Sequence, residues 1–224
     1  MALNQAVEVG KTSLTGVNLI FDDLAGFRKS FGRQFDGIIG NALLSQYKTE
    51  INFDQHQFYL YRFDTPLNLD GYQAVPFEFK NGIPIPQFDI EVKINGKNYQ
   101  GTILFDSGAG LALLFNAPFA EEHQLPNADQ KRLTSYSQNL SKTSVPKDFM
   151  VEELHFGGYT FKDFIVSAST DKAGVSAIKS YLGIMGRKLS TVLTWCLITR
   201  KKYFTLNRIP CLIRRLGCHS QDLL

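Results

Sequence analysis

The stretch FDIEVKINGKNYQGTILF, residues 88–105, constrains this chain more than any other. Apolar and polar residues alternate on both sides of Asn95-Gly96. Period-two alternation gives a strand one apolar face, and Asn-Gly supplies the two positive-φ residues of a tight hairpin turn. An isolated hairpin is barely stable in water, so its apolar face needs further sheet to cover it. The chain offers such sheet. LHFGGYTFKDFIV, 154–166, repeats the pattern around Gly157-Gly158, and EINFDQHQFYLYRF, 50–63, reads as strand, turn, strand. The 18 Phe and 9 Tyr residues fit strands better than a helical bundle. Two short helices are predicted. One covers NAPFAEEHQL, 116–125, with Asn116 as cap and Pro118 in the first turn; the other covers NALLSQY, 41–47. The turn-rich LNLDGYQAVP, 67–76, separates two β-rich blocks.

The hairpin runs directly into GTILFDSGAGLALLF, 101–115. Asp106 lies between two apolar runs and is expected to be at least half buried. Burying a carboxylate is costly unless it is paired, hydrogen-bonded or protonated. The bland reading is an aspartate in a strand-connecting turn. A second signal weighs against it. YLGIMGRKLSTVL, 181–193, carries Gly183-Ile184-Met185-Gly186, and FDGIIGNALLSQY, 35–47, echoes it with Gly37-Ile38-Ile39-Gly40. Glycines flanking two apolar residues suit a strand passing close to other backbone before a helix starts.

An apolar run into Asp-Ser-Gly-Ala (106–109), followed 77 residues later by Gly-Ile-Met-Gly, resembles the retropepsin-like aspartic proteases, a family with bacterial two-lobed members. The resemblance implies an all-β fold: a closed acid-protease barrel lobe with one or two short helices, plus a partial second lobe. It implies an aspartic-type endopeptidase acting on a peptide or protein substrate, with no cofactor, no metal and no nucleic acid. Asp106 would be catalytic. Ser107, Gly108 and Ala109 would support the active-site turn, and Gly183, Ile184, Met185 and Gly186 would pack beside it. The region 133–160 would supply a flap over the substrate. In this family two aspartates share one proton, because like charges at that distance cannot both ionise. One activates a water and the other donates to the scissile carbonyl.

On this reading residues 1–64 are the C-terminal half of a first lobe whose own Asp turn would precede residue 1. Residues 65–71 are a linker, 72–186 a lobe carrying the Asp-Ser-Gly-Ala motif, and 187–224 a basic tail. Asp22, Asp23 and Asp36 are not followed by Ser/Thr-Gly and are not promoted to the missing acid. Two copies could pair to bring their Asp106 residues together. The alternative is an inactive peptide-binding or remnant protein of the same fold, to which an extended peptide adds as a strand. Family members with both lobes are usually exported. The N-terminus MALNQAVEVGK shows no signal-peptide pattern, and no apolar run is long enough to span a membrane.

The tail breaks with the rest in composition. From Arg187 onward there are eight Lys/Arg and one acid, Asp222, with all three cysteines and the only tryptophan, Trp195. The cysteine spacing matches no zinc pattern, so free thiols are expected. RKLSTVLTWCLITRKKYF does not resemble the helix and edge strand that a second lobe needs after Gly186. Codons exist for residues 187–199 whose alternative frame does supply them, so the break predicts a frameshift near codon 187. The other reading is a basic extension for an acidic partner. Remaining motifs fail on residue identity. GKTS at 10–13 lacks the upstream glycine of a phosphate loop, since position 5 is Gln, and residues 105–109 are not the Gly-x-Ser-x-Gly of a hydrolase elbow. His56, His123, His155 and His219 have no metal spacing.

Overall fold

The structure, a computed structural model, describes every residue except 54, 129, 132, 139–142, 191–192, 200–201 and 209–224. Sixteen strands dominate the described residues. In chain order, the first part has β1 (Ala2–Val9), β2 (Thr12–Leu19), α1 (Ala25–Phe31), α2 (Asn41–Leu44), β3 (Lys48–Asn52) and β4 (Gln57–Tyr61). Then come β5 (Gln73–Pro76), β6 (Gln87–Ile94), β7 (Lys97–Asp106), β8 (Leu113–Phe115) and α3 (Ala117–Glu122). Short strands β9 (Leu133–Thr134), β10 (Ser137–Gln138) and β11 (Thr143–Ser144) precede β12 (Lys147–Phe156) and β13 (Tyr159–Ala168). The described chain ends with β14 (Gly183–Gly186), α4 (Arg187–Ser190), β15 (Leu193–Ile198) and β16 (Tyr203–Arg208).

Six strands close on themselves in the order β13-β8-β14-β7-β6-β12, because β12 also pairs with β13. The protein is therefore all-β with a closed barrel and a few short helices, as the resemblance implies. The barrel is built on the two hairpins visible in the sequence. Asn95 and Gly96 take φ of 53° and 73° between β6 and β7, and Gly157 and Gly158 take 59° and 78° between β12 and β13. Both pairs form the turn that matches strand twist. The period-two pattern sends Phe88, Ile90, Val92 and Ile94 of β6 inward with Val151, Leu154, Phe161 and Phe164. Phe88 is central: its ring lies 5.1–6.1 Å from those of Phe204, Phe156, Phe77 and Phe105.

A second sheet runs β4-β3-β15-β16-β5. It corrects the reading of residues 187–208 as lacking the helix and edge strand of a lobe. They form α4, β15 and β16, and Leu197, Phe204 and Leu206 join the barrel core. LTWCLI is a nearly continuous apolar run, and Cys196, Leu197 and Ile198 are all buried, so it satisfies a strand covered on both faces despite the unusual composition. Among the described residues the free cysteine is Cys196, buried in β15; Cys211 and Cys218 lie outside them. Three further expectations change. The expected flap cannot extend over 133–160, because 147–156 and 159–168 are barrel wall. The helix expected at 41–47 closes after Leu44. Asn116 does not cap α3 with its side chain; Nδ2 donates to the Ile178 and Tyr181 carbonyls at 2.9 and 3.2 Å, tying the approach to β14 onto α3.

Residues 2–61 repeat the architecture of 149–207. The β1–β2 hairpin corresponds to β12–β13 at a spacing of 147 residues, from Gly10 to Gly157. Gly37–Gly40, α2, β3 and β4 correspond to β14, α4, β15 and β16 at a spacing of 146, from Gly37 to Gly183. Unusual backbone angles recur at the same spacings: Gly10 and Gly157 have φ of 61° and 59°, Gly16 and Asp163 71° and 48°, His56 and Lys202 54° and 53°. β3 and β15 pair antiparallel as Thr49–Leu197, Glu50–Cys196 and Ile51–Trp195, a register that exchanges the two copies about the 50–196 pair. Leu14, Val17 and Leu43 form a small second core at positions equivalent to Phe161, Phe164 and Leu189.

Candidate active site

Asp106 is the last residue of β7. The turn that follows is held from within. Gly108 N–H donates to the Asp106 carboxylate at 2.8 Å, and Ala109 N–H to the Asp106 carbonyl at 3.2 Å. This is the local hydrogen-bonding that makes Asp a turn residue.

Beside the turn runs β14, inserted between the strands that enter and leave it. It pairs parallel with β7, Gly183 opposite Ile103 through Gly186 opposite Asp106, and antiparallel with β8, Gly183 opposite Phe115. Three further main-chain bonds fasten its end to the turn. Gly186, Arg187 and Lys188 N–H donate to the carbonyls of Ala112, Ala109 and Leu111 at 2.9, 2.9 and 3.0 Å. The glycines of Gly-Ile-Met-Gly are explained by this crowding. A Cβ on Gly183 would strike the Leu114 carbonyl oxygen, and one on Gly186 would stand 2.7 Å from the Ala109 carbonyl oxygen. Neither backbone can rotate away, so only hydrogen fits. Met185 fills the barrel beneath with 1% of its surface exposed.

The structure thus brings together Asp106, Ser107, Gly108, Ala109, Gly183, Ile184, Met185 and Gly186. One expectation is corrected: Asp106 is exposed rather than at least half buried. Its flanking apolar residues turn into the barrel while the turn emerges at the barrel's open end, so the carboxylate keeps its hydration and no burial cost arises. Among the described residues the Ser107 hydroxyl has no hydrogen-bond partner. Also among them, no group of three or more His, Cys, Asp or Glu side chains could hold a metal.

The equivalent motif in the repeat behaves differently. Gly37–Gly40 is not in a strand, and Ile39 is 58% exposed where Met185 is buried. Sequence reading matched the two motifs but missed that, among the described residues, one of them has no flanking strands. The β1–β2 hairpin was missed as well; its signal, Gly10-Lys11 between ALNQAVEV and TSLTGVNL, is weak because small and polar residues blur the alternation.

Fold and site together define an all-β closed barrel with an aspartate turn wedged against a Gly-x-x-Gly strand. No family model matches the chain, and no curated protein matches it. Among solved structures, a retropepsin-like aspartic protease from Rickettsia conorii is similar, at 14% identity and a TM-score of 0.39, over 62% of this chain and 91% of that one.

Proposed function

We propose that the chain carries one half of an aspartic peptidase site, with Asp106 as its carboxylate and a second aspartate contributed by another lobe or subunit. The observation that carries this reading is the β7–turn–β14 wedge: an acid held at a strand end by backbone bonds, exposed, with glycines clearing the floor around it. Opposed by a second carboxylate, Asp106 would share one proton with it. The ionised member takes a proton from water as its oxygen adds to the scissile carbonyl carbon; the neutral member protonates the carbonyl oxygen. Collapse of the tetrahedral intermediate breaks the C–N bond and returns a proton to the leaving amine. Ser107, its hydroxyl uncommitted among the described residues, is positioned to bond to the opposing turn.

The second reading, a non-catalytic peptide-binding protein, is favoured by the exposure of Asp106 on a single acid turn from residues 1–224. Cleavage of an unfolded protein at mildly acid pH separates the two. The peptidase reading requires cleavage that Asp106→Asn and a pepstatin-like inhibitor both abolish. Peptide binding without cleavage, unchanged by Asp106→Asn, supports the second reading.

A further inference from the structure

The internal repeat leaves one face of the molecule uncovered, and the other copy of the repeat displays what covers it. In the barrel, β12, β13, β14 and α4 pack against β6, the Asp-turn strand β7 and β8. Among the described residues, their counterparts β1, β2, 37–40 and α2 have no such strands. The affected side chains are apolar. Phe21 is 73% exposed, whereas its counterpart Ala168 is buried; Phe58 is 48% exposed, whereas Phe204 is fully buried; Ile38 and Ile39 stand open beside Gly37 and Gly40. Around those two glycines a Cβ would meet nothing, in contrast to Gly183 and Gly186. The face is continuous with an interface already filled, because β3 and β4 extend the sheet whose other half, β15 and β16, closes against the barrel core.

We infer that this face binds a polypeptide segment of the same build as residues 87–115: a hairpin, an acid-bearing turn and a returning strand. Residues 37–40 enter it as the central strand, parallel to the strand that ends in the acid and antiparallel to the one that leaves the turn. A second copy of residues 1–224 does not fill the role, since its own residues 87–115 are already committed to its barrel. The segment's strand docking rests on the repeat alone; the acid opposite Gly40 rests on the peptidase reading above.

The test adds a synthetic polypeptide of residues 84–125 of this sequence to the full chain and follows amide hydrogen exchange at 36–41. Binding slows exchange there by about tenfold or more, as expected when open backbone enters a sheet. Ile38→Lys/Ile39→Lys, at two exposed positions, removes that protection without unfolding the chain. Should the synthetic segment fold poorly, a fusion placing a duplicate of residues 72–147 ahead of residue 1 provides the same strands in register. Exchange at 36–41 unchanged in both formats overturns the inference, as does protection that survives the double substitution. Protection without peptidase activity leaves the docking intact and removes the catalytic reading; Asp106-dependent cleavage by the full chain alone, without protection in either format, does the reverse.

Discussion

Alanine at Gly186 and at Gly40 makes the same change in the same motif, and the structure gives the two substitutions very different costs. At Gly186 the new methyl group would sit 2.7 Å from the Ala109 carbonyl oxygen, closer still to that of Leu111 and 3.0 Å from Leu111 Cδ1. Two of those three neighbours are main-chain atoms of the Asp106 turn, itself fastened by the bonds from Gly186, Arg187 and Lys188. Relief requires the turn to move. Overpacking of a tight interior costs about 1–3 kcal/mol, and an unyielding backbone neighbour places this case near the top, about 3 kcal/mol. For a chain of this size that is roughly a 6–12 °C fall in Tm. At Gly40 nothing lies within 4 Å of the built Cβ, and φ is −132°. There alanine meets no neighbour; the cost is confined to the local ψ of −144° and to a poorer N-cap for α2, about 1 kcal/mol at most. Urea titration of the two variants, with m-values compared, measures the difference directly. If Gly186→Ala is no more destabilising than Gly40→Ala, the wedge of β14 against the Asp106 turn is wrong.

Three further outcomes follow from the same structure. Phe88→Ala deletes a fully buried ring that meets four others and is expected to cost about 3–5 kcal/mol in chemical denaturation; a cost below about 1 kcal/mol would mean the barrel core is not centred there. Cys196 is buried against Glu50, and burial first, then that charge, pushes its thiol up to about 12 from an ordinary value near 9.0. The native thiol therefore stays protonated and resists alkylation at pH 8, as site-resolved mass spectrometry would report; its stabilising contribution is present below pH 9 and is lost as pH rises towards about 12. The Asp171 carboxylate accepts from Ser144 Oγ at 2.9 Å and Ser176 Oγ at 3.1 Å, holding β11 to the body. Asp171→Ala should speed limited proteolysis within 133–146 several-fold while leaving cleavage of barrel strands unchanged.

How much of this was legible from residues alone depends on how local the cause is. Asn95-Gly96 and Gly157-Gly158 announce their hairpins because a two-residue turn needs only its own φ angles and an alternating flank. Gly183 and Gly186 were legible as a close approach, since glycine around a buried pair has few other uses. The exposure of Asp106 was not legible: its apolar neighbours on both sides are indeed buried, but whether a turn is covered is decided by what stands above it. β15 and β16 were obscured by the basic residues around them, of which Lys202 lies in the turn and Arg208 ends β16, while Cys196, Leu197 and Ile198 and then Phe204, Thr205 and Leu206 are buried in unbroken runs that periodicity alone does not assign to a strand.

The two Gly-x-x-Gly motifs make that distinction quantitative. Their sequences are nearly the same, yet Met185 is buried and Ile39 is 58% exposed, so the neighbouring strands, not the motif, decide burial. Phe21, Ile38, Ile39 and Phe58 are 48–73% exposed, so covering them would contribute about 1–2 kcal/mol each. That sum, about 4–8 kcal/mol, does not exceed the roughly 4–15 kcal/mol that association itself costs. An apolar cap resting on these side chains would therefore bind weakly at best. A segment that also pairs with both edges of residues 37–40, as β7 and β8 pair with β14, adds a row of main-chain hydrogen bonds and fixes the register. The geometry of the filled barrel thus calls for a strand-forming occupant: Ile38→Val, which trims little apolar area and leaves the backbone unchanged, should weaken capture far less than Ile39→Pro, which removes one ladder donor and little apolar surface.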